Sequence, residues 1–129
     1  MPEPRIPPHR VVAVVQPGNH PFELAVACEV FGLERPELGV PWYEFVVCAE
    51  EPRVDLGAFV VETRHGLDAI ATADTVIIPA QPPDLPPSRA LVAALRAAHD
   101  RGARLVAFCS GAFALAEAGV LDGRPATTH

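Results

Sequence analysis

Cys109 is the residue whose neighbours best equip it for covalent chemistry. It ends the apolar run Leu105-Val106-Ala107-Phe108, and after Ser110 and Gly111 the chain resumes an apolar, helical pattern in Ala112-Phe113-Ala114-Leu115-Ala116. A polar and a permissive residue wedged between two apolar segments predict strand, sharp turn, helix. In a nucleophile elbow, small residues two positions either side of the nucleophile let strand and helix pack closely while its side chain projects over the sheet edge. Here those flanks are Ala107 and Gly111. A thiol at that point faces the positive end of the next helix, which favours the thiolate form. The alternative is a small buried hydrophobe, a common fate for cysteine.

Two other segments bring polar groups that such a thiol would need. Glu23 falls in the first turn of a helix predicted from Phe22, where a carboxylate also gains simply from the helix dipole. The segment Pro79 to Pro87 carries five prolines, too many for a helix or central strand, and so reads as a stiff loop leaving the end of a strand.

The elements that position these residues follow from hydrophobic pattern. Arg10 to Gln16 and Asp74 to Pro79 are unbroken, β-branched runs, the signature of strands buried on both faces of a parallel sheet. Trp42 to Ala49 and Ala58 to Thr63 read as more peripheral strands, separated by turn residues Pro52, Asp55 and Gly57. Phe22, Val26, Val30 and Phe31 have helical spacing that Gly32 and Pro36 end, and Leu67 to Ala71 allows a turn or two of helix. Ser88 is placed to cap a helix with Leu91, Ala94, Leu95 and Ala98 inside, stopped at Gly102. Alternating strands and helices predict an α/β fold: an open, mostly parallel sheet with helices on both faces. Ligands bind such sheets outside the carboxyl ends of the strands, near the point where strand order reverses. Glu23, the Pro79 to Pro87 loop and Cys109 all belong there.

Composition narrows the classes. The 129 residues suit one domain, and the formal charge of −6 has no basic block behind it, since all ten cationic side chains are scattered arginines. A nucleic-acid surface on this segment is therefore not expected. No stretch approaches the roughly 18 apolar residues of a membrane span and no signal peptide is evident, so a cytoplasmic protein without membrane partners is expected. Cys28, Cys48 and Cys109 are far apart and odd in number, suggesting neither a disulfide framework nor a metal site, and no cofactor is indicated. Residues 1–9 are proline-rich and are expected to form a disordered arm. His9, His65 and His99 are assigned no role, and His20 reads as a solvated turn histidine.

From about Arg10 to His129 the chain resembles the PfpI-like branch of the class I glutamine-amidotransferase-like superfamily, in particular the amino-terminal domains of AraC-type transcriptional regulators. The strongest piece is Cys109-Ser110-Gly111-Ala112-Phe113-Ala114-Leu115-Ala116-Glu117-Ala118-Gly119, continuing through Val120-Leu121-Asp122-Gly123-Arg124-Pro125-Ala126 to Thr127-Thr128-His129. Phe22 to Phe31 is similar to the first-helix signature. The resemblance implies a flavodoxin-like three-layer sandwich, with Cys109 as elbow cysteine, Glu23 as its carboxylate neighbour and His129 as the histidine that reaches the site in enzymes. It implies a pocket lined by Cys109, Ser110, Glu23, Ala80 and Gln81. Two departures stand out: Ser110 occupies the place of a histidine in the protease-like enzymes, and Pro79-Ala80-Gln81 replaces the Pro-Gly-Gly-like turn that supplies an oxyanion donor.

These departures favour a non-catalytic, ligand-sensing and oligomerisation domain, binding an unidentified small molecule and acting on DNA only through a carboxyl-terminal domain absent from this chain. The superfamily fold continues past the Thr-Thr-His segment, so residues 10–129 are expected to be an incomplete, amino-terminal fragment with its C-terminal part missing. Two alternatives use Cys109 chemically. One is a hydrolase or carbonyl-acting enzyme assisted by Glu23 and His129; the other is a redox sensor whose oxidised thiol is stabilised by Glu23.

Overall fold

The computed structural model describes residues 6–128. Its centre is a four-stranded, all-parallel sheet in the order β2-β1-β5-β6, formed by β1 (Arg10–Val14), β2 (Glu44–Cys48), β5 (Thr75–Ile78) and β6 (Arg104–Ala107). Strands β1 and β5 hold the middle and are wholly buried apart from Arg10, as unbroken runs of Val and Ile require. The chain leaves β1 toward β2 on one side and returns at β5 on the other, so strand order reverses between β1 and β5.

Helices cover both faces. On one, α2 (Arg89–Asp100), a 3-10 segment at Leu67–Thr72 and α3 (Ala112–Glu117) pack Leu91, Leu95, Ile70 and Ala114 against Val12, Val14, Val76 and Ile78. On the other, α1 (Pro21–Ala27) brings Leu24 and Ala27 onto Val11, Ala13 and Ile77. Ser88 caps α2 as its type predicts, its Oγ accepting from Leu91 N at 3.1 Å. At the far end the Arg101 guanidinium donates to the carbonyls of Ala73 and Ile70, each at 3.0 Å, tying α2 to the 3-10 segment. No helix among the described residues is long and apolar enough to cross a membrane.

Three local expectations change. The first helix does not run regularly to Gly32; it ends at Ala27 and finishes as a wider π turn, Cys28–Gly32. Trp42 and Tyr43 precede β2 instead of opening it. The Trp42 indole donates to Phe31 O at 2.8 Å, and the Tyr43 ring meets Phe31 edge-on at 5.1 Å, so both aromatics clasp the end of the helix. Of the two strands read as peripheral, β2 is the sheet edge, whereas β4 (Val60–Glu62) lies outside the sheet, pairing antiparallel with β3 (Arg53–Asp55). Pro52, Asp55 and Gly57 had suggested turn alone for that segment, but buried Val54 and Leu56 anchor the hairpin to the α1 face.

Of the proline-rich arm, residues 1–5 lie outside the described region. By His9 the chain is already tied down: its carbonyl accepts from Glu44 N at 3.0 Å and its ring Nε2 lies 2.8 Å from Thr75 Oγ1.

Candidate functional site

The turn that carries Cys109 follows the end of β6. Phe108 is still extended, and its amide donates the last ladder bond to Ile78 O at 3.0 Å. Cys109 then turns to φ 51°, the only positive φ outside glycine among the described residues. A left-handed cysteine is strained by about 1 kcal/mol or more, a cost that persists only where the surroundings impose it. Here they do. Gly111 N bonds back to Phe108 O at 2.8 Å, and a Cβ on Gly111 would stand 2.5 Å from Ile78 O and 2.9 Å from Pro79 O. The turn is thus pressed against the end of β5 as closely as backbone allows, and Cys109 is left exposed at the rim.

Ser110 faces the Pro79-Ala80-Gln81 turn and is bonded to it twice. Its hydroxyl donates to Gln81 O at 2.6 Å and accepts from Gln81 N at 3.1 Å. That reciprocal pair engages both the amide and the carbonyl of Gln81. The Gln81 side chain is itself buried and donates through Nε2 to Leu85 O at 3.0 Å, which fixes the proline-rich loop. Ala80 is fully buried, and its carbonyl receives two donors from the loop after β1, Asn19 Nδ2 at 2.9 Å and His20 N at 3.2 Å.

Asn19 is a residue that sequence reasoning read only as part of a turn. It is 1% exposed, and its Oδ1 accepts from Gln16 N at 2.6 Å while its amide reaches Ala80, so one side chain bridges the loops after β1 and β5. The signal available was its place between Gly18 and His20 at the end of a buried strand, which does not distinguish a solvated turn from a structural bridge.

Cys109, Ser110, Ala80 and Gln81 are therefore brought into one backbone cluster at the carboxyl ends of β5 and β6. Glu23 enters from the first turn of α1, which packs on the same sheet face as Phe108. Its Oε2 is buried and meets no donor among the described residues. His129 lies outside the described region; Thr128 Oγ1 donates to Cys109 O at 3.4 Å.

The other two thiols are less suited to reaction. Burial pushes Cys48 up to about 12, with the Asp68 carboxylate adding to the shift. Cys28 is also raised by burial of its thiol, although the residue as a whole is exposed. Mild peroxide is accordingly expected to oxidise Cys109 while sparing Cys28 and Cys48, as read by peptide mass mapping. Equal oxidation of all three would show that exposure and burial do not control reactivity here.

Beside this cluster, on the other side of Gln81, lies a cavity of about 310 Å³ that Val14, Gln16, Leu67, Leu85 and Leu91 help to line. Neither Cys109 nor Glu23 borders it.

Comparison with known proteins agrees with this architecture. Residues 10–129 match the DJ-1/PfpI family. A Streptomyces lividans protein described as "Uncharacterized protein in cpoL 5'region" is 34% identical over 125 residues, covering 95% of this chain and 88% of that one. Among solved structures, an AraC family transcriptional regulator from Pseudomonas putida superposes with a TM-score of 0.72 at 22% identity, over 95% of this chain and 67% of the regulator. Drosophila melanogaster DJ-1beta gives 0.70 at 19% identity, over 87% of this chain and 61% of its own. In a two-domain Anabaena variabilis protein with DJ-1/ThiJ/PfpI-like and ferritin-like domains, the matching part is 34% of the whole. Several of these relatives thus extend well beyond the shared domain. The family match over residues 10–129, on a parallel sheet with helices on both faces, makes this chain a member of the DJ-1/PfpI family.

Proposed function

We propose that this chain is a non-hydrolytic, ligand-sensing and oligomerising domain of an AraC-type transcriptional regulator, binding a small molecule at the elbow end of its sheet. The observation that carries the reading is the reciprocal Ser110–Gln81 pair. Hydrolysis of an amide needs a base beside the thiol and a free donor for the developing oxyanion. Ser110 takes the place of the first and occupies the second. In this reading the ligand site is lined by Cys109, Ser110, Glu23 and Gln81, with the fully buried Ala80 behind them, in a cytoplasmic protein.

The likeness to a Pseudomonas putida AraC family regulator over nearly the whole chain supports the regulatory assignment. Exposed apolar side chains, among them Phe22 at 75% and Phe59 at 50%, support self-association. DNA contact would come from a further domain beyond His129, so residues 10–129 would be the sensing part of a longer protein. The test is the intact mass of the protein captured from its own source with an antibody to residues 10–120. A mass well above 13.7 kDa, with a helix-turn-helix module and operator binding, is the expected result. A mass of 13.7 kDa would remove the DNA-binding claim.

A redox reading keeps one specific support. Glu23, which the resemblance places beside Cys109, has a buried oxygen without a donor among the described residues, and an S–OH on oxidised Cys109 would supply one. The peroxide experiment above addresses it, with a gain of two oxygens expected on Cys109.

A further inference from the structure

The cavity gathers residues from the carboxyl ends of β1, β2 and β5, the last two flanking β1 where strand order reverses, and neither Cys109 nor Ser110 lines it. Its volume of about 310 Å³ is at the lower end for small-molecule sites. Val14, Val15, Val54 and Leu91 form its apolar wall and are all buried. The polar groups around it divide cleanly. Ser88 is committed to Leu91 N, the Gln81 amide to Leu85 O, and Arg53 lies 3.6 Å from Glu62 in an exposed ion pair. The buried group left unmet is an acceptor, Gln16 Oε1, which has no donor among the described residues, and the carboxylates of Glu50 and Glu51 also border the cavity. An unmet buried acceptor costs on the order of 1–3 kcal/mol until a donor arrives.

We infer that this cavity binds a small apolar amine, its body against Val14, Val15 and Leu91 and its N–H donated to Gln16 Oε1. Glu50 and Glu51 favour a cation at the mouth and disfavour carboxylic acids of the same shape. The inference rests on the sensing reading above and adds to it a second ligand site of stated chemical class, apart from Cys109. Gln81 and Leu85 border the cavity, and Gln81 also holds Ser110, so occupancy acts on the backbone segment that supports the elbow.

The test titrates 2-phenylethylamine into the full chain by calorimetry, with 3-phenylpropanoate as the carboxylate of similar body. Ligand-to-protein NOEs locate the bound amine. Binding of the amine is expected, with NOEs to Val14 and Leu91 and at least tenfold weaker binding of the acid. Gln16→Leu should weaken the amine by about tenfold to a hundredfold, while Gln16→Glu should tighten it. The backbone bond from Gln16 N to Asn19 is untouched by either change, and thermal melts check that both variants fold. Should Gln16→Leu unfold, Gln16→Glu decides alone. No amine binding, equal affinity in folded Gln16 variants, or equal binding of the acid would overturn the inference. NOEs only to the elbow would overturn it too, while leaving the sensing reading in place. A native mass without a DNA-binding module would instead remove the regulator reading and leave this site standing.

Discussion

Replacing Gly111 with alanine is expected to lower the melting temperature by roughly 10 °C or more, corresponding to about 3 kcal/mol. The new Cβ would lie 2.5 Å from Ile78 O and 2.9 Å from Pro79 O, and both obstacles are backbone at the end of a buried central strand. Neither can swing aside like a side chain. The elbow must therefore lift, and the same movement stretches the Phe108–Ile78 bond of 3.0 Å and pulls Ser110 away from Gln81. Differential scanning calorimetry would measure the cost, and peroxide mapping of Cys109 would report the displaced turn. A variant melting within about 2 °C of the parent would mean that the approach to β5 is looser than these distances.

Asn19→Leu should cost about 2–4 kcal/mol in urea unfolding, with the slope unchanged. Leucine has a similar volume but leaves Gln16 N without its 2.6 Å acceptor and removes one of the two donors on Ala80 O. Because Ala80 O keeps His20 N at 3.2 Å, the amide of Gln16 bears most of the penalty. Asn19→Asp gives a sharper check through pH. It preserves an acceptor for Gln16 but turns a carboxylate oxygen toward Ala80 O, which only the protonated acid can satisfy. Its folded pKa would therefore rise above the unfolded value of about 3.9, and the variant should be closest to the parent below that pH and lose stability as pH rises through the folded value. A pH-independent difference from the parent would show that Ala80 is not the partner.

The residues legible in sequence were those whose local pattern already carries the tertiary outcome. The valine run of β1 and the Thr75–Ile78 strand could only be central, and Ser88 sat where a cap belongs. The strand, turn and helix around Cys109 were legible because Ser110 and Gly111 interrupt two apolar segments, and the close approach that Gly111 permits is to the end of β5. What stayed hidden depends on chain segments meeting. Strand β3 has three residues and exists only through its pairing with Val60–Glu62. The Ser110–Gln81 bonds join positions 29 apart, so the substitution of histidine by serine was visible but its effect on the opposite amide was not. Asn19 is a common turn residue by type, and nothing local marks its reach of 61 positions to Ala80. The cavity likewise gathers Gln16, Glu50 and Leu91 from three separate connections.

The order β2-β1-β5-β6 also bears on how the chain is made. A ribosome delivers β1 first, yet the register partners of Val11 are Phe45 and Thr75, and β6 must still emerge to flank β5. Until β5 emerges the run Val11 to Val14 keeps at least one open strand edge, and before β2 emerges it has two. Such a segment is prone to pairing with other chains while it waits, the more so because non-local parallel pairing is slow. Holdase chaperones that bind extended apolar segments should therefore engage nascent chains long enough to expose Val11–Val15 but too short to present β5.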